Sequence, residues 1–197
     1  MAKKIVLALF GKSASGKDSL QSALTQKFAN CHPIISCTTR PMREGEHDGK
    51  DYHFLSIVEF TKYVLEGKML EATCFRDWFY GTLEQDLLDN CLNVGVFNLE
   101  GVRTLLSNPD LIVYTVFVNA SDKVRLIRAL NREENPDCAE ICRRFEADEK
   151  DFKDMSDIRI HYTFDNNSSD SEVLTKELAQ FCDWIDDIIT GLLPAQF

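Results

Sequence analysis

Gly11-Lys12-Ser13-Ala14-Ser15-Gly16-Lys17-Asp18 follows directly on the apolar run Ile5–Phe10 and opens into a segment carrying Leu20, Leu24 and Phe28. In a strand–loop–helix of this kind, successive backbone N–H groups converge on phosphate oxygens, and the helix N-terminus adds partial positive charge. Gly11 and Gly16 permit dihedrals and a close approach that side chains would block. Ser13, Ala14, Ser15 and Gly16 are expected to line the phosphates, with Lys17 reaching the β- and γ-groups and Ser19 in the first helical turn. A chance match in a turn is the plain alternative, and the flanking strand and helix weigh against it. The residue after the lysine is normally Ser or Thr, whose hydroxyl joins a Mg²⁺ shell; here it is Asp18. A carboxylate is a good Mg²⁺ ligand but repels bare polyphosphate, so nucleotide affinity is expected to depend strongly on Mg²⁺.

Outward from the loop, five short apolar runs read as buried strands: Ile5–Phe10, Pro33–Cys37, Asn93–Asn98, Ile112–Val118 and Ile160–Phe164. Near-continuous Val, Ile, Leu and Phe, without alternation, suits parallel strands covered on both faces. Ser56-Ile57-Val58-Glu59 is a capping box and Gly67 a helix stop, while Thr82-Leu83-Glu84-Gln85 repeats the capping pattern. Val173, Leu174, Leu178, Phe181, Ile185, Ile188, Ile189 and Leu192 trace one face of a long final helix. Strands alternating with helices imply a three-layer α/β fold with a five-stranded parallel core. Charged or polar segments at Arg40–Lys50 and Asn131–Pro136 interrupt the rhythm and are read as flaps over a site.

At 197 residues, 44% hydrophobic and 27% charged, the chain has the size and composition of one ordinary globular domain. A net charge of −10 argues against a surface adapted to nucleic acid or anionic membrane. Any phosphate chemistry must therefore sit in a concentrated basic cleft. Seven cysteines without a CxxC pair are expected to be small buried hydrophobes in a reducing compartment, the cytoplasm. The N-terminal Met1-Ala2-Lys3-Lys4 and its short apolar run lack the length and cleavage site of a signal peptide. No stretch has the length of a membrane span. The four histidines form no recognisable ligand set.

The segment Ser36-Cys37-Thr38-Thr39-Arg40-Pro41-Met42-Arg43-Glu44-Gly45-Glu46 continues into Asp48-Gly49-Lys50-Asp51-Tyr52-His53-Phe54, with Leu70-Glu71 and Tyr80-Gly81-Thr82 further on. Arg40, Arg43, Tyr52 and Tyr80 are chemically suited to grip a phosphate dianion. Glu71 can accept from the N1–H and N2–H₂ of guanine, and Ser36 and Thr82 can donate to its O6; adenine would leave the acid unpaired. Singly, each fits a core or solvated role. In this order and spacing, they resemble the guanylate kinase signature (TTR-x-x-R-x-GE, DGKDY-x-F, then YG-[ST]), and the similarity runs from the phosphate loop to about Asn166.

The resemblance implies a P-loop three-layer fold with a core of 1–36, 85–124 and 150–197, an inserted mixed α/β nucleoside-monophosphate-binding subdomain at 37–84, and a short helical lid at 125–149. It implies phosphoryl transfer from Mg-ATP to GMP, with dGMP a second acceptor. ATP would lie on the loop and beside Asn166, and GMP on Ser36, Arg40, Arg43, Tyr52, Glu71, Tyr80, Gly81 and Thr82. Lys17, Arg40 and the lid arginines Arg128, Arg132 and Arg144 would carry catalysis; Arg143 competes with Arg144 by spacing. Arg125, at the same helical spacing, is read as part of a solvated charged face. Val96 and Asn98 stand where the family usually has aspartates, the first of which helps to hold Mg²⁺; Asp18 is expected to supply the missing carboxylate. A non-catalytic binding module of the same fold, or a kinase for another (deoxy)nucleoside monophosphate, are the rival readings.

Overall fold

The computed structural model describes residues 3–43, 45–75, 77–132, 134–168 and 171–192. Met1, Ala2, Glu44 and Glu133, which figure in the segments read above, and the side chain of Leu192 lie outside that description.

Strand β1 (Lys4–Phe10) is central and deeply buried: Val6 through Phe10 have no exposed surface. It lies between β7 (Leu92–Val96) and β8 (Leu111–Asn119) in an all-parallel sheet, with β2 (Cys31–Pro33) on one edge and β9 (Tyr162–Asp165) on the other. Successive β1 side chains feed opposite cores. Ile5, Leu7 and Leu9 pack with Leu20 and Leu24 of α1 (Lys17–Lys27) and with Phe181 and Ile185 of α6 (Ser171–Leu192). Val6, Ala8 and Phe10 pack with Val102 and Leu105 of α3 (Leu99–Ser107). This is the expected three-layer arrangement.

One strand reading is corrected. Pro33–Cys37 is not a single strand: β2 stops at Pro33, and Cys37–Thr38 forms β3 of a separate sheet. Proline has no N–H to donate, which suits the end of an edge strand and lets the chain leave the core sheet there. On α6 the expected apolar face holds except at Val173, which is exposed.

The second sheet is built from residues 37–83. Its order is β4 (His53–Phe54), β3, β6 (Trp78–Leu83) and β5 (Met69–Phe75), with only the β3–β4 pair parallel. Helix α2 (Ile57–Leu65) begins with the expected capping box, ends at Gly67 (φ 66°) and buries Phe60 against Cys37 and Leu83. The second capping reading fails. Thr82 lies within β6 and Glu84–Asp86 is a short 3₁₀ turn without a side-chain cap, because cross-strand pairing with Glu71 claims Thr82.

Helices α4 (Asp122–Leu130) and α5 (Cys138–Asp151) follow β8 and stand over the end of β1. No helix among the described residues is long and apolar enough to cross a membrane. Phe181 packs on Tyr162, Phe164 and Trp184, with ring centroids 4.9–5.7 Å apart, and is fully buried. Replacing Phe181 with Ala is expected to cost about 3–5 kcal/mol, read as a fall in the midpoint of thermal or urea unfolding.

Candidate active site

The carboxyl end of a central parallel strand is where an open α/β sheet presents its crevice. At that end β1 delivers Gly11 (φ 154°), where a Cβ would stand 2.4 Å from the Val118 carbonyl oxygen of β8. At Gly16 (φ 99°) a Cβ would stand 2.3 Å from Asn166 Nδ2. Between them Ala14 takes φ 59°, a left-handed conformation that costs a residue with a side chain on the order of 1–3 kcal/mol and tends to mark functional loops. The loop closes with Ser15 N–H donating to the Lys12 carbonyl (3.2 Å). The Ser15 hydroxyl is fully buried and has no hydrogen-bond partner among the described residues. Lys17 Nζ donates to the carbonyls of Gly11 (2.9 Å) and Lys12 (3.0 Å), and burial lowers its pKa despite Asp18 and Asp148 nearby.

The loop shares one cleft of about 570 Å³ with the inserted sheet: Gly11, Ser13 and Lys17 on one wall, Ser36, Tyr52, Glu71, Tyr80 and Gly81 on the other. Pairing of β5 with β6 sets Glu71 opposite Thr82, just past a register irregularity after Met69. The Thr82 hydroxyl donates to Glu71 Oε1 (2.9 Å). Its proton is thus spent on the carboxylate, and Thr82 orients Glu71 where donation to a base O6 was expected. Gly81 is required next door, since a Cβ there would stand 2.7 Å from the Glu71 carbonyl oxygen. Burial raises the Glu71 carboxyl to about 7, the Thr82 bond opposing only in part. Tyr52 and Tyr80 meet edge to face at 6.2 Å, and burial pushes the Tyr52 phenol up to about 12.

Arg40 is buried, and its fork is occupied by Glu46 (2.7 and 2.6 Å) while its guanidinium lies 5.0 Å over the Tyr52 ring. Arg43 differs. It lines a 220 Å³ hollow with Ser13, Ala14, Arg132 and Arg144, and its pKa is lowered by burial and then by Arg40, Arg144 and Arg132. Several guanidiniums thus converge beside the phosphate loop, the concentrated basic site that an acidic chain needs. Arg144 is half-buried in that hollow, whereas Arg143 is exposed and paired with Glu140. The geometry favours Arg144 of the two. Arg128 donates to the carbonyls of Ser15 (3.4 Å) and Asn166 (3.0 Å), and Asn166 Nδ2 donates to Ser15 O (2.8 Å), so both brace the loop.

The reading of Arg125 as solvated is overturned. It is fully buried, donating to the Ser13 carbonyl (2.9 Å) and paired with Asp122 and Asp148. Its partner Asp148 was not among the expected site residues; both lie on helix faces whose packing against the loop only the fold reveals. Asn98 caps α3 by accepting from Gly101 N–H (2.8 Å) and donates to Thr73 Oγ1 (2.7 Å), and Val96 ends β7 in the cleft wall. Asp18 and Ser19 are exposed on the first turn of α1; the charge of Asp18 acts on Lys17 and Tyr52. Among the described residues no group of three His, Cys, Asp or Glu could hold a metal ion.

A phosphate loop on the central strand of a parallel sheet, facing an inserted mixed sheet that carries a buried acid and arginines, defines the class of P-loop nucleotide-binding α/β proteins. The family profile described as guanylate kinase matches residues 1–182. A guanylate kinase of Sulfurimonas denitrificans is 31% identical over 159 residues, covering 79% of this chain and 70% of that protein. One from Wolinella succinogenes is 33% identical over 129 residues, covering 64% and 60%. The crystal structure of guanylate kinase from Anaplasma phagocytophilum superposes with a TM-score of 0.64 at 17% identity, covering all of this chain and 89% of that one. The chain belongs to the guanylate kinase family.

Glu71 gives a pH test of the site. Its folded pKa, about 7, lies above the ordinary 4.5, so the folded form holds the proton more tightly than the unfolded chain. The associated stability is fully present below about pH 4.5 and is lost as pH rises through about 7. Between pH 4.5 and 8.5, wild type is expected to lose roughly 3 kcal/mol relative to Glu71→Gln, measured as the difference between their urea-unfolding free energies.

Proposed function

We propose that the chain transfers the γ-phosphoryl group of ATP to GMP, giving ADP and GDP, with dGMP as a second acceptor. The observation that carries this reading is the placement of Glu71, a buried acceptor fixed by Thr82, across one cleft from the phosphate loop. In this reading Glu71 accepts from guanine N1–H and N2–H₂, and Ser36 donates to O6. AMP would leave a buried carboxylate facing no donor, a loss of the size that gives strong discrimination.

ATP phosphates would lie on the amides of residues 14–17, where the Ser15 hydroxyl, without a partner among the described residues, offers one more donor. Lys17 would exchange its carbonyl partners for phosphate oxygens. Arg43, Tyr52 and Tyr80 would hold the GMP phosphate, with Arg40 joining by exchanging Glu46. The attacking oxygen already belongs to an anion, so no general base is required. What the residues must supply is alignment and charge neutralisation, which Lys17, Arg40, Arg43, Arg128, Arg132 and Arg144 would provide.

Mg²⁺ fits the residues present as an ion carried mainly by the nucleotide phosphates: at the loop Asp148 is committed to Ser13 and Arg125, Asp18 is exposed, and no cluster of three ligand residues occurs among the described residues. When bound, the ion draws charge from the β- and γ-phosphate oxygens. Asp18 is the residue proposed to hold it, in place of the strand carboxylate that Val96 replaces. The absence of a CxxC pair among the seven cysteines is consistent with a reducing cytoplasm, where these nucleotides occur, although Cys74, Cys138 and Cys142 are exposed where buried roles were expected.

A coupled assay of ADP formation across GMP, dGMP, AMP, CMP and UMP is expected to show turnover with GMP and dGMP alone. Equal rates with AMP, or none with any acceptor, would overturn the reading. Asp18→Ser is expected to raise the Mg²⁺ concentration needed for half-maximal ATP binding several-fold, measured calorimetrically without acceptor. GMP affinity should rise with pH through about 7 in wild type, while Glu71→Gln should keep only the slope due to the phosphate, whose second pKa is about 6.

A further inference from the structure

Ser13 sits in the phosphate loop, yet none of its polar groups faces the cleft unpartnered. Its N–H donates to Asp148 Oδ2 (2.8 Å), its hydroxyl donates to Asp148 Oδ1 (3.2 Å), and its carbonyl accepts from Arg125 Nε (2.9 Å). Arg125 NH2 closes the ring by donating to the same Asp148 oxygen that the N–H reaches. Arg125 is fully buried, its guanidinium 4.3 Å above the Phe145 ring, and Asp148 is 6% exposed. Phe145 and Asp148, one turn apart on α5, thus enclose an arginine from α4.

A carboxylate beside a phosphate site is by itself an obstacle to polyphosphate. Here a buried guanidinium shared with Asp122 offsets it. The arrangement fixes both peptide planes that flank Ser13, immediately before Ala14 adopts its left-handed conformation. That turn decides where the amides of residues 14–17 point. We propose that Arg125 and Asp148 are positioning residues for ATP. They lock the Ser13 peptides so that the loop amides stay aimed into the cleft, and they anchor α4 and the C-terminal part of α5 to the loop.

The inference rests on the loop being the ATP site, and the test separates the two. Three variants are compared with wild type: Asp148→Asn, Arg125→Met, and the double variant Arg125→Met/Asp148→Ala. Each is assayed for KM of ATP, KM of GMP and melting temperature. Asp148→Asn keeps the shape and the acceptor for Ser13 N–H, so a rise of only a few-fold in KM for ATP is expected. Arg125→Met leaves the acid uncompensated beside the loop, and loss of a charge-assisted bond corresponds to a rise in KM for ATP of about tenfold or more. The double variant removes a buried ion pair in favour of apolar atoms, a change that folds tolerate. It should regain the melting temperature lost in Arg125→Met while KM for ATP stays raised, with KM for GMP within about twofold of wild type throughout.

A double variant with wild-type melting temperature and wild-type KM for ATP overturns the proposal, as does a rise in KM for GMP equal to that for ATP. If the double variant does not fold, Asp148→Asn and Arg125→Met decide: unchanged KM for ATP in both is fatal. A wild-type chain that binds no Mg-ATP in calorimetry sinks the functional reading, and this one with it; wild-type binding matched by all variants sinks this one alone.

Discussion

The close approach of the Gly11 backbone to the Val118 carbonyl is the constraint on which the rest depends. A strand with no solvent-exposed surface from Val6 to Phe10 can end only where the sheet ends, and the next residue, Gly11, meets β8 at a distance no Cβ would tolerate. The chain must turn sharply there, and every later amide of the loop takes its direction from that turn. The loop then acquires its bracing from three elements remote in sequence: Asn166 after β9, Arg128 and Arg125 of α4, and Asp148 of α5. A preorganised cluster of N–H groups is useful to phosphate chemistry only if it does not relax when charge develops upon it. The bracing supplies that rigidity.

Charge is the second organising feature. A chain with net charge −10 gathers Arg40, Arg43, Arg132 and Arg144 closely enough that the others depress the pKa of Arg43. Such a gathering is unfavourable on its own and becomes favourable when anions occupy the space between the arginines. The Arg40–Glu46 and Arg144–Glu140 pairs are the local compensation that the fold makes. The Arg40–Glu46 pair is bidentate, an acceptor geometry that phosphate oxygens share. Glu71 is the opposite case: an acid whose burial pushes it towards neutrality, stabilised by one hydroxyl. Glu71 and the arginines thus show opposite departures from ordinary surface electrostatics, in two neighbouring cavities that Ser13 lines in common.

Much of this was legible in the amino-acid order. The loop Gly11–Asp18 reads correctly because strand, turn and helix are local: hydrophobic run, glycine and helical spacing all lie within a few residues of one another. The core strands read correctly because a segment covered on both faces must be apolar throughout. The failures share a cause. Pro33–Cys37 looked like one strand because apolar character does not say which sheet a residue joins. Thr82-Leu83-Glu84-Gln85 matched a capping pattern, but a partner eleven residues away took the threonine. Arg125 had the spacing of a solvated helix face and proved to be the most deeply enclosed charge among the described residues.

Sequence by itself therefore determined the identity and order of the chemistry-bearing residues and the strand–loop–helix unit, because these depend on neighbours along the chain. Tertiary structure alone decided which arginines face the hollow, which one is walled in, that Thr82 serves Glu71, and that Asp148 belongs to the phosphate loop. The physical reason is range. Backbone conformation answers to nearby residues, whereas the partner of a charged or polar side chain is chosen by packing between elements as much as 151 residues apart, as Ser15 and Asn166 are.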